Sequence, residues 1–150
     1  MPSTIDIADR STRPHPFNPE ALRPLVLRLA VEMLGDRTIE LSITLVSDRA
    51  MRGLNLKHRG IDRTTDVLSF PLGESRHLGD IVISSAKCLK QAAAWGWTPS
   101  ERLAQLTIHG FLHLLGYDHH EEAERIAMEA LEERLFGIVE AEGLIGSLAS

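Results

Sequence analysis

TPSERLAQLTIHGFLHLLG, residues 98–116, is the segment around which the rest of the chain must be arranged. Its opening carries the signature of a helix start, with Thr98 as the cap, Pro99 at the first helical position and Glu101 closing a capping box. The apolar residues that follow cover most of the helix circumference, which predicts a helix buried in the core. We expect this helix to end at Gly116, since glycine commonly terminates helices.

Two histidines stand on the polar stripe of this predicted helix, and a third follows it. His109 and His113 are four residues apart, so they lie one above the other on the same face. His119 comes three residues after Gly116, where the chain can turn back toward the pair. Imidazoles at this spacing can converge on one zinc ion, and three protein ligands leave a fourth position for water, as in catalytic sites. Solvated histidines at this spacing also occur by chance, but the pattern favours a metal site.

Gly110 directly follows the first histidine. Zinc peptidases of the HExxH type carry a glutamate there as general base, so peptidase chemistry that depends on that residue is disfavoured. A glycine inside a core helix costs roughly 1 kcal/mol relative to alanine. We therefore expect a close approach of backbone or substrate at this point.

Hydrophobic periodicity outlines the other elements. It predicts an α+β single domain, residues 1–150, with a small, roughly four-stranded mixed sheet packed against about five helices. Residues 1–17 are expected to form a variable N-terminal segment, and residues 138–150 a frayed tail. The predicted elements are strands at Ile5–Ile7, 38–46, 66–70 and 80–83, and helices from Asn18 to Gly35, from Ser47 toward Lys57, over 86–94 and over 121–135, the last one ending at Gly137.

Composition and charge are those of an ordinary globular protein. Hydrophobic residues make up 43% and charged residues 25% of the chain. Its single cysteine, Cys88, cannot form an internal disulfide, which fits a reducing compartment. No apolar stretch approaches the ~20 residues of a membrane span, and no signal-peptide core is present, so we expect a cytoplasmic protein. The net charge of −5 comes from the acidic C-terminal part of the chain and does not by itself indicate nucleic-acid binding.

The histidine segment extended to residue 119 reads HGFLHLLGYDH and resembles the signature of the YbeY family, the bacterial rRNA-maturation endoribonucleases. Three further segments agree with the same family, namely Leu54-Asn55 with Arg59-Gly60, TDVLSFP over residues 65–71, and Gly79-Asp80-Ile81. Two positions depart from the family pattern. His58 replaces the usual aromatic residue before the arginine, and Thr64 replaces the proline that commonly precedes the Thr-Asp pair.

The resemblance implies a zincin-like metal helix and one zinc ion held by His109, His113 and His119. It also implies a single-stranded RNA substrate, chiefly rRNA precursors. The expected roles are rRNA processing, including the 3′ end of 16S rRNA, and ribosome quality control. The partners would be the small ribosomal subunit and its assembly factors, with no membrane. The functional arginine of the family maps onto Arg59.

Arg59 is the basic residue best suited to a substrate phosphate. It lies beside Gly60 on a predicted loop, where a guanidinium can pair bidentately with a phosphate. Zinc and Arg59 would together stabilise the charge that develops during RNA hydrolysis, with water or a 2′-hydroxyl as nucleophile. The basic segment contains Arg49, Arg52, Lys57, Arg59 and Arg63. For Arg49, Arg52 and Lys57, a solvated helix face is as good an interpretation as phosphate binding.

Asp118 is adjacent to His119, and we interpret it as a supporting residue that orients this ligand. His120 and Asp66 are weaker candidates for the general base, and the general base stays unassigned. We interpret His120 as a solvated neighbour and Asp66 as a structural hydrogen-bond acceptor.

Two tryptophans, Trp95 and Trp97, precede the predicted metal helix. We interpret them as core anchors, and aromatic platforms for single-stranded RNA are the alternative. The acidic last helix is interpreted as a solvated face, and docking of a basic ribosomal protein is the alternative.

Two other functions stay open on the sequence alone. One is a zinc hydrolase of another substrate, such as a peptide held by edge pairing along the strand at 38–46. The other is a non-catalytic, zinc-containing ribosome-assembly factor. A purely structural zinc site is disfavoured because such sites usually include cysteine ligands.

Overall fold

A four-stranded mixed sheet forms the centre of the fold. The computed structural model describes residues 2–150. The strands are β1 (Thr4–Arg10), β2 (Glu40–Val46), β3 (Val67–Pro71) and β4 (His77–Ser84). Their spatial order is β1-β2-β4-β3, with β1, β2 and β4 parallel and β3 antiparallel to β4. The predicted α+β fold with a mixed sheet is confirmed, and β4 is longer than the strand expected at 80–83.

Five α-helices pack with this sheet in the part of the chain that the structure describes. They are α1 (Leu22–Leu34), α2 (Asp48–Arg59), α3 (Ser85–Trp95), α4 (Pro99–Leu114) and α5 (Glu122–Ala141). Helix α4 is the most central, since it contacts β3, β4, α1, α3 and α5. Within the described chain, no helix combines the length and the hydropathy that crossing a bilayer would require.

The local signals for helix starts act largely as predicted. Thr98 and Glu101 form both hydrogen bonds of the capping box at the start of α4. Ser47 accepts a hydrogen bond from the backbone of Ala50 and caps α2. Asn18, in contrast, makes no side-chain capping bond, and residues Pro19–Ala21 form a 3₁₀ turn before α1.

The two faces of the sheet carry cores of different size. The ladder pairs Ile43 with Ile81 on the face that packs in the main core with α1 and α4. Val82 and its partner Leu68 lie on the opposite face and form a small second cluster. Met51 of α2 completes this cluster, so α2 lies across the sheet from α4.

The C-terminal residues 138–150 do not fray, contrary to expectation. Helix α5 continues through Gly137, and a 3₁₀ turn at Gly146–Leu148 follows. Leu148 is fully buried in the main core, and the backbone N–H of Ser150 donates to the carbonyl of Pro16 at 2.8 Å. The aliphatic residues Ile145 and Leu148 therefore fill part of the main core, whereas the small residues around them are exposed.

Candidate metal centre

The three histidines of the sequence pattern lie together at the C-terminal end of α4. One ring nitrogen from each lies within 4.8 Å of those from the other two. The Nε2 atoms of His109 and His113 are 3.1 Å apart, and the ring centre of His119 is 5.4 Å from that of His113. Tetrahedral ligands with bonds of ~2.0–2.1 Å to zinc lie ~3.3 Å apart. The spacing of the rings therefore fits a single metal ion.

A tight turn after α4 brings His119 back to the other two. The N–H of Gly116 donates to the carbonyl of His113 at 3.0 Å, and that of Tyr117 donates to Leu112 at 3.1 Å. Gly116 has a φ of +97°, which a residue with a side chain rarely adopts. The glycine thus reverses the chain within the few residues that separate the ligand candidates.

Glu132 of α5 fixes the ring of His109. Its Oε2 lies 3.0 Å from His109 Nδ1, while the other ring nitrogen of His109 faces His113. Carboxylates commonly orient metal-binding histidines in this way. No local sequence signal singles out Glu132, since the acids of the last helix are predicted to form a solvated face, and only the packing of α5 against α4 reveals the contact.

The surroundings of His113 favour its neutral form. Burial lowers the pKa of His113, and the neighbouring imidazole of His109 lowers it further. Only an unprotonated ring nitrogen can bind a metal. The shift therefore keeps His113 ready to act as a ligand near neutral pH.

Asp118 contacts the backbone of His119 more closely than its ring. Its Oδ1 accepts the N–H of His119 at 2.7 Å, whereas the ring Nδ1 is 3.8 Å away. The other oxygen lies 2.8 Å from Nε2 of His120, an exposed side chain. The backbone hydrogen bond from His119 is the main influence that lowers the pKa of Asp118, with burial opposing it. Asp118 therefore holds the turn in place.

Gly110 is explained by the close packing of α4 on the sheet. A Cβ at this position would lie 2.8 Å from Ile81 Cγ2 and 3.2 Å from Ser69 Oγ. The Ser69 hydroxyl also donates to the Gly110 carbonyl at 3.3 Å. The expected close approach is confirmed, and its partners belong to β3 and β4.

Arg59 is the last residue of α2, not part of a loop, because the helix continues until Gly60 adopts a left-handed conformation. Within residues 2–150 its guanidinium has no acceptor, in contrast to Arg52, which pairs with Asp62 at 2.8 Å. Arg59 and the three histidines line one hollow of about 600 Å³, which we call the histidine hollow. The N–H donors of the Arg59 guanidinium therefore remain available to an anion bound in this hollow.

The two departures from the family pattern are accommodated by local contacts. His58 packs its ring against Phe70 of β3, with ring centres 4.8 Å apart, and so occupies the place of an aromatic residue. The Thr64 hydroxyl donates to Asp48 Oδ1 at 3.1 Å. The first contact holds the C-terminal end of α2 against β3, and the second ties the following loop to the N-terminal end of α2.

Trp95 and Trp97 are not core anchors, since 56% and 40% of their surfaces are exposed. They flank the turn between α3 and α4, where only part of each ring finds a protein partner. Trp95 stacks on the guanidinium of Arg102 at 4.9 Å. Trp97 contacts Phe136 edge-on, with ring centres 6.3 Å apart.

Asp66 is a structural acceptor, as interpreted from the sequence. Its Oδ1 accepts the N–H of Val67 at 2.7 Å, and its Oδ2 lies 3.2 Å from both Gln91 Nε2 and Arg102 Nη2. Because both oxygens are engaged, Asp66 is less suited to accept a proton from a substrate.

Comparisons with known proteins agree with this geometry. The family model "Endoribonuclease YbeY" matches residues 9–140. The Endoribonuclease YbeY of Geobacter metallireducens is 37% identical over 150 residues, covering 94% of this chain and 99% of that protein. That of Anaeromyxobacter dehalogenans is 42% identical over 144 residues, covering 92% and 73%. The solution structure of TM1509 from Thermotoga maritima superimposes with a TM-score of 0.62 at 28% identity, covering 94% and 95%.

Proposed function

The chain belongs to the endoribonuclease YbeY family, and we propose that it is a zinc-dependent endoribonuclease that cleaves single-stranded RNA. Its proposed substrates are rRNA precursors, including the 3′ end of 16S rRNA, and its proposed setting is ribosome maturation and quality control in the cytoplasm. The observation that supports this best is the convergence of three imidazoles in a hollow that also contains an unpaired arginine.

His109, His113 and His119 would hold the zinc ion. Three nitrogen donors with no further side-chain ligand among the described residues suit an open catalytic site better than a closed structural one. When bound, such an ion supplies Lewis-acid activation of water and of a phosphate oxygen. Glu132 would keep the His109 ring oriented toward the ion.

Arg59 would bind the phosphate under attack. Its guanidinium offers several N–H donors, which match two oxygens of a phosphate group. Helix α2 places it on the wall of the histidine hollow, where no carboxylate of residues 2–150 pairs with it. Donors fixed in this way stabilise the charge that develops on the non-bridging oxygens during hydrolysis.

The peptide-hydrolase alternative required a free strand edge along which an extended peptide could pair. The strand at 38–46 corresponds to β2, which is paired on both sides by β1 and β4 and has no free edge. Gly110 also leaves the site without the glutamate that peptidases of the HExxH type place there. Both observations favour RNA over peptide as the substrate.

The test is His113→Ala, with His77→Ala as a matched control. The His113 variant should fall from about one zinc ion per chain to far below one and should lose RNA cleavage. The His77 variant should keep both, because that side chain is exposed, pairs with Glu40 and lies outside the histidine hollow. Elemental analysis, cleavage of a defined single-stranded RNA and thermal melting would be measured together.

Two results would count against the proposal. Unchanged zinc content in a folded His113 variant would contradict the ligand assignment. Ribosome binding without metal-dependent RNA cleavage, in preparations free of contaminating ribonuclease, would favour a non-catalytic assembly factor.

A further inference from the structure

A second hollow of about 530 Å³ adjoins the histidine hollow, and we call it the tryptophan hollow. It lies between α4, α5 and the start of β3. His109, Asp66 and Val67 line both hollows, so the two are continuous at the ring of a ligand candidate. Its volume is in the range of small-ligand pockets, ~300–1,000 Å³.

One wall of the tryptophan hollow is aromatic and partly open to solvent. Trp97 lines it with 40% of its surface exposed, and Phe136 supports the indole edge-on. Exposed aromatic rings in single-strand binding proteins serve as stacking surfaces for bases. This wall suits a flat, uncharged ring.

The cation in this hollow is already neutralised. Arg102 donates to Asp66 Oδ2 at 3.2 Å, to Gln91 Oε1 at 3.0 Å and to Gln105 Oε1 at 3.1 Å. No free positive charge therefore remains there for a phosphate. Gln105 uses its oxygen in this network, and its amide nitrogen has no acceptor within residues 2–150.

The other wall is acidic. Glu129 pairs with Arg125 at 3.1 Å and Glu132 with His109, whereas Glu133 has no partner in the described chain. Carboxylates repel phosphates but accept hydrogen bonds from amino groups. The hollow thus disfavours the backbone of RNA and favours a base that carries amine hydrogens.

We propose that the tryptophan hollow binds the nucleobase next to the cleaved phosphate and prefers bases with an exocyclic amine over uracil. The inference rests on the proposed function, because it requires RNA in the histidine hollow. The base would stack on Trp97 and donate its amine hydrogens to Glu133. A basic side chain of a protein partner is the competing occupant.

The experiment compares the binding of three single-stranded hexamers, A6, C6 and U6, with an abasic hexamer as backbone control. Binding is followed by the stopped-flow fluorescence of Trp97 in the full-length, metal-loaded protein with Trp95→Phe, before cleavage proceeds, and gels of quenched samples confirm that the hexamers are still intact. C6 and U6 form the matched pair, since cytosine and uracil are of similar size but only cytosine carries an amine. C6 should bind about tenfold more tightly than U6.

Two variants separate stacking from base selection. Trp97→Ala, followed by anisotropy of labelled hexamers, should weaken A6, C6 and U6 by about 5- to 150-fold and leave the abasic hexamer unchanged. Glu133→Ala should bring the affinities for C6 and U6 close together. Glu124→Ala, on an exposed part of α5 outside the hollow, should leave the preference intact.

Several results would overturn the inference while leaving RNA cleavage in place. Equal affinity for C6 and U6 in the unsubstituted hollow would exclude base selection, and unaltered binding by Trp97→Ala would exclude stacking. Quenching of Trp97 by a lysine-rich peptide but by none of the hexamers would assign the hollow to a protein partner. Failure of the metal-loaded protein to cleave any RNA would instead overturn the proposed function, and the inference with it.

Discussion

Single side chains at the metal centre divide into those that could be predicted and those that could not. The three histidines follow from their spacing, because a helix places positions four apart on one face. Glu132 does not, because it reaches His109 from a helix that is distant in the chain. Such a contact depends on how α5 packs against α4, which no local pattern records.

Glu132→Gln should weaken zinc binding by about 10- to 100-fold, because an amide holds the His109 ring less firmly and raises its basicity less than a carboxylate does. Zinc affinity measured by competition with a chelator checks this. Glu124→Gln on the same helix should leave the affinity unchanged. An unchanged affinity in Glu132→Gln would show that its contact with His109 does not support metal binding.

Arg59→Glu should lower kcat/KM for RNA cleavage by about 10²–10³-fold, because a fixed donor to the phosphate is replaced by a repelling charge. Zinc content and melting temperature should stay the same, since Arg59 is exposed and unpaired in the described chain. Arg49→Glu makes the same charge change on α2 outside the histidine hollow and should cost much less. Comparable losses in the two variants would indicate a general charge effect.

Among the elements, α4 shows how local signals and packing combine. Its capping box and apolar faces were sufficient to predict its start and its burial. The same reasoning failed for α5, where Gly137 was expected to end the helix. A glycine ends a helix only where the chain needs a left-handed turn, and Gly137 lies within the helix without one. Packing of the C-terminal end of α5 decides the boundary.

Gly110→Ala and Gly137→Ala should change stability in opposite directions. At position 110 the added methyl group meets Ile81 and Ser69, and overpacking of ~1–3 kcal/mol exceeds the ~1 kcal/mol gain in helix propensity. At position 137 nothing lies within 4 Å, so alanine should stabilise by ~0.5–1 kcal/mol. Urea unfolding of both variants checks the signs, and stabilisation by Gly110→Ala would contradict the close packing.

At the scale of the whole molecule, two segments take positions in the fold that their own sequences do not indicate. The order of the strands places β2 inside the sheet, although its alternating pattern is equally typical of an edge strand. The C-terminal residues fill the main core, although their weak polarity suggested a loose tail. Both outcomes depend on contacts between distant parts of the chain.

Leu148→Ala should destabilise the whole fold by ~2–5 kcal/mol, because it removes a fully buried side chain from the main core. Urea unfolding should show an earlier midpoint with a single transition. Leu72→Ala is the control, since that side chain is 55% exposed, and it should change the midpoint little. Equal midpoints for the two variants would mean that the C-terminal segment contributes little to the core.

The contact between α4 and the sheet also bears on how this chain can diverge. Because the Ile81 side chain fills the space beside Gly110, a larger residue at position 110 demands a smaller residue at position 81. The two positions should therefore covary over evolutionary time. Lineages that gain a side chain on the helix would be expected first to have lost one from β4.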